Sequence, residues 1–292
     1  MGGDWGARYP RRRSDRKVSK ASRFITIEEA VARIPDGAQL AVSGNMEMSP
    51  MALIRGLVRA ERRGLRLVCA GAAAVNADLL IGAGAVSEVE FSQISMGEYG
   101  FAPNFRRKFE QGAVVGLEHA CPTLTAALGA GAAGIPFVPV RGLIGTDYMA
   151  IRPDFRAITN PYDPSERVAV VPAIRPDVAI FHGFLADTDG HVLTHPAQNN
   201  RLLAQAARQT FVTVEDIVSP DELRCEAGKG GALIPPLFLS GIVHAPGGAL
   251  PTSCPGYYEA DDEAVLVYMQ ASASEEAFIA YVRRLLVGEL VQ

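Results

Sequence analysis

Short apolar runs alternate with stretches of helical spacing from residue 25 to residue 286. Residues 39–44, 65–70, 86–92, 136–140, 167–171, 178–181, 210–214 and 242–244 have the length and composition of buried strands. Between them lie helix signals. Thr26 followed three residues later by Glu29 forms a capping box. Pro50 stands in the tolerated first-turn position of a helix running to Arg59. Further helices are expected in the Ala-rich segment after Gly71 and over residues 123–131, 201–208 and 275–286. Strands alternating with helices predict an α/β fold, a mostly parallel open sheet flanked by helices on both faces. Residues 153–164 are polar and turn-rich and read as a lid or interface loop.

Composition adds two points. Hydrophobic residues make up 48% of the 292 positions, and mean hydropathy is +0.12. No apolar run reaches the roughly 18 residues of a membrane span, so the excess is expected to cover a subunit interface as well as a core. The net charge of −4 is uneven: residues 1–23 hold eight Lys/Arg against two Asp, which leaves −10 for residues 24–292. The first segment reads as a disordered basic tail, not a nucleic-acid arm, and it lacks the apolar core of a secretory signal. Residues 24–292 read as a single domain. Cys69, Cys121, Cys225 and Cys254 show no paired spacing, which predicts reduced thiols in a cytoplasmic protein and neither a disulfide frame nor a metal site.

Several motifs invite chemistry and fail on context. Gly129-Ala130-Gly131-Ala132-Ala133-Gly134 fits G-x-G-x-x-G, but it ends a helix and precedes a strand, as capping glycines do. Neither a nucleophile elbow nor a phosphate loop occurs. His191 and His195 are four apart, yet Pro196 breaks any helix there. His119 and Cys121 would share a strand face, where packing is the commoner role for such a pair. The Pro- and Gly-rich stretches at 235–236, 246–248 and 251–258 either fix loop courses or wall a cleft.

The densest cluster of special residues is Glu98-Tyr99-Gly100-Phe101-Ala102-Pro103-Asn104, between a strand and an amphipathic helix. Open α/β sheets keep ligand crevices at such strand ends. Glu98 has Gly97 before it and Gly100 two residues on, so the backbone can present its carboxylate to a crevice. The plain alternative is a solvated carboxylate paired with Arg106 or Arg107. A second junction, residues 137–147, ends in Gly145-Thr146-Asp147.

In order along the chain, Pro50-Met51-Ala52-Leu53-Ile54-Arg55, the 98–107 segment, Gly134-Ile135-Pro136-Phe137-Val138-Pro139-Val140-Arg141-Gly142, residues 171–180, residues 212–218 and Ala245-Pro246-Gly247-Gly248-Ala249 resemble the α (A) subunit of the family I CoA transferases, such as glutaconate CoA-transferase. The resemblance covers nearly all of residues 25–287. It implies a heteromer in which a β-type subunit supplies a glutamate nucleophile, with a coenzyme A thioester as substrate and no covalently bound cofactor, metal, nucleic acid or membrane. In β-type chains that glutamate precedes a Gly at an early strand end. Here the place is Val68-Cys69-Ala70-Gly71, with no carboxylate, so the isolated chain is expected to be inactive. Ser43, Gly44, Asn45, Gly145 and Thr146 are expected to bind substrate or CoA, and Glu98 to orient the substrate or the nucleophile. The family's Gly-rich turn after the first strand is replaced by Ser43-Gly44-Asn45-Met46-Glu47-Met48-Ser49-Pro50. That departure keeps open a CoA-thioester or ring-opening hydrolase on the same scaffold. A non-catalytic interaction subunit is a third possibility.

Overall fold

A computed structural model describes residues 23–287, so the basic tail up to residue 22 lies outside the described residues. In chain order the elements are α1 (Ile27–Ala32), β1 (Gln39–Val42), α2 (Met51–Arg59), β2 (Leu65–Cys69), β3 (Ala72–Ala73), α3 (Val75–Gly82), β4 (Val86–Phe91), β5 (Gln93–Ile94), α4 (Pro103–Glu110), β6 (Val115–Glu118), α5 (Cys121–Ala133) and β7 (Phe137–Val140). They continue with α6 (Tyr148–Ile151), β8 (Arg156–Asn160), β9 (Asp163–Pro172), β10 (Val178–Asp187), β11 (Val192–Thr194), α7 (Asn200–Ala206), β12 (Gln209–Val218), α8 (Pro220–Lys229), β13 (Ala232–Ile234), β14 (Gly241–His244), α9 (Asp262–Ser272) and α10 (Glu275–Leu286). The predicted capping box on α1 forms: Glu29 N–H donates to the Thr26 hydroxyl, and Thr26 N–H to the Glu29 carboxylate.

The main sheet is parallel through β14-β12-β10-β1-β2-β4-β6. β10 outruns β1, and its far half pairs antiparallel with β11, which carries β13. From β1 the chain winds outward through β2, β4 and β6, then returns to build β10, β12 and β14 on the other side. The strand order therefore switches between β1 and β10, the place where open sheets bind ligands beyond the carboxyl ends. Alternate residues of β1 and β2 serve opposite faces. Leu40, Val42, Leu67 and Cys69 join the core under α1, α2 and α3, whereas Ala41 and Val68 face the core under α5 and α7. Helix α2 buries seven of its nine residues, among them Leu53, Ile54 and Leu57, each contributing about 1.5–3 kcal/mol.

Three expectations are corrected. Residues 153–164 are not a loop: β8 and β9 form a hairpin there, turned at residues 161–162. β7 does not join the main sheet but pairs antiparallel with β9, making a separate β7-β9-β8 sheet. Periodicity marks β7 as a strand but cannot say which sheet it enters. The Ala-rich segment after Gly71 also begins with β3, paired to β5, before α3 starts.

A buried polar knot fixes α4, and with it the Glu98 segment, against α3 and α9. Asn104 donates through Nδ2 to Asp78 (2.9 Å), and Tyr268 donates its hydroxyl to the same oxygen (2.6 Å). Phe105 N–H donates to the other Asp78 oxygen (2.7 Å). Burial pushes the Asp78 carboxyl up, and the bonds from Tyr268, Phe105 and Asn104 pull it back. Gly82 makes this approach possible, since a Cβ there would lie 2.6 Å from Asn104 Cγ. Asp78→Ala leaves the Tyr268 hydroxyl and the Phe105 N–H without their acceptor, while Asn104 keeps Tyr268 and Ser272, so urea unfolding should show a loss of about 3 kcal/mol.

Candidate active site

The loop after β1 is shaped by Gly44. At φ +91° its backbone doubles back so tightly that a Cβ would sit 2.5 Å from the Met48 carbonyl oxygen and 2.6 Å from Ser49 Cα. Only glycine fits. The loop is then tied internally and to its neighbours. Asn45 N–H donates to Glu47 O (3.1 Å), Glu47 N–H to Asn45 Oδ1 (2.9 Å), and the Ser49 hydroxyl to Asn45 O (2.6 Å). Asn76 Nδ2 donates to Gly44 O (2.8 Å), Met48 N–H to Ser253 O (2.8 Å) and Ser49 N–H to the Thr252 hydroxyl (3.2 Å). Met48 adopts φ +56° and packs, fully buried, on Ala249 and Cys254. A non-glycine residue there costs on the order of 1–3 kcal/mol, which the surrounding bonds offset.

This loop forms one side of a cleft of about 630 Å³, lined by Asn45, Met46, Glu47, Met96, Gly97, Glu98, Tyr99, Ser253, Glu259, Ala260 and Asp262. Both contributing segments, 45–47 and 96–99, leave the carboxyl edge of the parallel sheet, beyond β1 and β4. Glu98 stands on a single 3-10 turn, Gly97–Tyr99, flanked by Gly97 at φ +62° and Gly100 at φ +106°. It is exposed, and it has no ion pair or side-chain hydrogen bond among the described residues. The arginines nearest in sequence are engaged elsewhere. Arg106 pairs with Glu110 (2.9 Å), and Arg107 donates to Ser272 O (2.8 Å) and to Asn104. Tyr99 donates its hydroxyl to Asp262, which pushes the phenol up to about 12. The irregular C-terminal segment supplies the far wall through Ser253 and Glu259.

The sequence-predicted residues are thus partly gathered. Asn45 and Glu98 line the same cleft. Gly44 shapes it from beneath. Ser43 is buried, its hydroxyl without a partner among the described residues. Gly145 and Thr146 do not line it. They form an exposed turn beyond β7, where the Thr146 N–H and hydroxyl both donate to Leu143 O. The Gly-rich end of α5 caps that helix, with Gly134 left-handed at φ +74°.

Four of the five histidines are claimed by carboxylates, and His244 Nε2 contacts the Glu215 backbone carbonyl (3.1 Å). His119 Nε2 bonds Glu90 (2.7 Å), which also receives Arg152 (3.0 Å), while Cys121 is exposed at the start of α5; no His119–Cys121 couple forms. His191 Nδ1 contacts Asp187 (3.0 Å), and His195 Nε2 lies 3.4 Å from Glu47. Sequence reading missed the buried network of His182, Glu215 and Tyr258. His182 bonds Thr213 (2.7 Å) and Glu215 (2.8 Å), Tyr258 donates to Glu215 (2.5 Å), and Gly247 N–H donates to its second oxygen (2.8 Å). The available signal was a carboxylate at the inward register of an apolar strand, Val212-Thr213-Val214-Glu215. His182, Glu215 and Cys254 place their ligand atoms within 4.8 Å of one another. They do not suit a metal. The Glu215 oxygens already accept three hydrogen bonds, and both ring nitrogens of His182 are occupied, by Thr213 and by Glu215. The network anchors the 245–258 wall.

Burial alone would raise the Glu215 carboxyl, but the bonds from His182, Tyr258 and Gly247 outweigh it and hold the group below its usual range. A carboxyl lowered in the folded state stabilises above the ordinary carboxylate range, and that contribution fades as pH falls through the folded value. Glu215→Gln should therefore cost about 2 kcal/mol or more at neutral pH, and the gap to the natural protein should narrow below about pH 4. Denaturant titrations of both proteins across pH measure it.

Comparison with known proteins adds to this geometry. Residues 24–243 match the family model described as coenzyme A transferase. The A-type chain of the 3-oxoadipate CoA-transferase of Pseudomonas knackmussii is 33% identical over 91% of this chain and 94% of its own. The cholesterol ring-cleaving hydrolase IpdA subunit of Rhodococcus jostii is 28% identical over 93% and 94%. Among solved structures, glutaconate coenzyme A-transferase from Acidaminococcus fermentans superposes with a TM-score of 0.84 at 28% identity, over 92% of this chain and 93% of that one. The AibA/AibB decarboxylase gives 0.77 at 33% identity, over 90% and 98%.

Proposed function

The chain belongs to the coenzyme A transferase family, and on that premise we propose that it is the A-type chain of a two-chain enzyme moving CoA between an acyl-CoA and an acceptor carboxylic acid. The observation that carries this is a cleft beyond the carboxyl ends of β1 and β4, lined by Asn45 and Glu98, in a chain whose β2 runs out as Cys69-Ala70-Gly71, without a carboxylate. In the family a B-type chain supplies a glutamate at such a strand end. Its carboxylate attacks the thioester carbonyl and expels CoA thiolate, leaving a mixed anhydride. The thiolate then attacks the glutamyl carbonyl and releases the first acid, and the acceptor acid retraces both steps. Dividing the exchange into covalent stages replaces one difficult displacement with several easier ones.

Glu98 is assigned a supporting role, orienting the acyl group or the partner's nucleophile. Its exposed position on a glycine-flanked turn, with Arg106 and Arg107 occupied, favours this over a surface ion pair. Ser43, Gly44 and Asn45 form the floor and rim of the acyl site. Gly145 and Thr146 are proposed to contact CoA from the exposed turn beyond β7. The β7-β9-β8 sheet exposes Phe137 (48%) and Ile158 (38%), apolar area that supports a partner-covered face. No helix among the described residues is long and apolar enough to cross a membrane. Four free cysteines suit a reducing, cytoplasmic compartment.

A hydrolase on the same scaffold is the second reading. It is favoured by the tight 43–50 loop, which places the Asn45 side chain where the family keeps glycine, and by the likeness to the Rhodococcus hydrolase subunit. Acceptor dependence separates the two, since a hydrolase needs only water.

Co-expression with a B-type chain and an acyl-CoA exchange assay test the proposal. The isolated chain should be inactive and the complex active; full activity in the isolated chain would refute it. In the complex, Glu98→Gln should lower turnover by roughly 10²-fold with assembly intact. Unchanged turnover would return Glu98 to a surface role and favour a non-catalytic subunit.

A further inference from the structure

Glu47 is the carboxylate that sequence reading passed over, and its placement is more constrained than that of Glu98. Its backbone is held on three sides. The N–H donates to Asn45 Oδ1 (2.9 Å), the carbonyl accepts from Asn45 N–H (3.1 Å) and Gln198 Nε2 (3.1 Å), and the residue bridges to Ser253. Glu47 lines the cleft, and its Oε1 lies 3.4 Å from Nε2 of His195. The imidazole is itself oriented. Ala197 N–H donates to His195 Nδ1 (3.2 Å), so the ring proton sits on Nε2 and faces Glu47. Phe184 packs against the ring at 6.2 Å between centroids.

The rest of the lining has a matching character. Lys and Arg are missing from the residues that line the cleft. The Tyr99 hydroxyl is committed to Asp262 and the Ser253 hydroxyl points to Met46 O (3.5 Å). Asn45 uses its side-chain oxygen on Glu47 N–H. Among the lining side chains Asn45 Nδ2 remains as an uncommitted donor, set against the carboxylates of Glu47, Glu98 and Glu259, so a ligand entering between Glu47 and Glu98 meets mostly acceptors for hydrogens of its own.

We propose that Glu47, positioned by His195, is a specificity-determining carboxylate that accepts a hydrogen bond from a hydroxyl group on the acyl chain. The substrate class is hydroxyacyl thioesters, in preference to unsubstituted acyl thioesters and to those ending in a second carboxylate. This rests on the cleft being the acyl site. No bond is made or broken at Glu47. A chain without the hydroxyl leaves the carboxylate unmatched, and a second carboxylate meets like charge.

The test uses the complex of this chain with its B-type partner and three CoA thioesters of equal chain length: saturated, 3-hydroxy and terminally carboxylated. The natural complex should show kcat/KM for the hydroxyacyl substrate about tenfold or more above the other two. Glu47→Gln should shrink that ratio by about tenfold, and His195→Gln should move it the same way by less. A purely structural role would lower all three substrates together. His195→Gln leaves the 43–50 loop chemically intact, so it decides the matter if Glu47→Gln fails to assemble. A preference for the carboxylated substrate, or a hydroxyacyl preference unchanged by both substitutions, overturns this inference and leaves the proposed activity standing. A complex that turns over none of the three overturns both.

Discussion

The site depends on one close approach: the Gly44 backbone folded against the carbonyl of Met48 and Cα of Ser49, with no room for a side chain. That contact turns the chain back at the carboxyl end of β1, where the strand order of the sheet reverses. Everything around the cleft refers to it. Asn76 reaches from α3 to hold the Gly44 carbonyl, and residues 252–253 bond to Met48 and Ser49 from the other side. The rim residues Asn45 and Glu47 project from a loop that is over-determined by hydrogen bonds, and rigid support of this kind keeps a binding group at a fixed position.

Two buried polar networks carry that rigidity outward. Asp78, Asn104 and Tyr268 lock the segment that follows Glu98 to the C-terminal helices, and His182, Glu215 and Tyr258 lock the opposite wall to β10 and β12. Each spans segments far apart in sequence. Their groups are nearly all satisfied, so they stabilise a single arrangement where a half-paired network would destabilise it. Glu98 differs from all of these carboxylates. It stands alone on a short 3-10 turn, exposed, between two glycines.

What could be read from the sequence follows from how local each signal is. The capping box at Thr26 and Glu29 and α10 depend on residues within a few positions and appear where expected, while Pro50 stands one residue ahead of α2, at its N-cap, and not in its first turn. The parallel sheet is legible because buried strands carry continuous apolar runs. The β8-β9 hairpin was not, because its strands lie in a small antiparallel sheet and read as polar and turn-rich: positions 156–160 and 163–167 are mostly exposed or half-buried. The conjunction of Asn45 with Glu98 could be guessed from strand-end chemistry, but the entry of Glu47 and its link to His195 could not. That link joins residues far apart in the chain and exists only once β10 and β11 have brought residue 195 beside the loop after β1.

The central claim is a division of labour: this chain shapes and orients, and the partner carries the covalent chemistry. It is tested most directly by trapping. The assembled complex is incubated with an acyl-CoA that it turns over, the enzyme-bound thioester is reduced with borohydride, and the modified glutamate is located by peptide mass spectrometry. The modified residue should lie in the B-type chain, with Glu47 and Glu98 of this chain unlabelled. Label on Glu98, or on any carboxylate of this chain, would contradict the division.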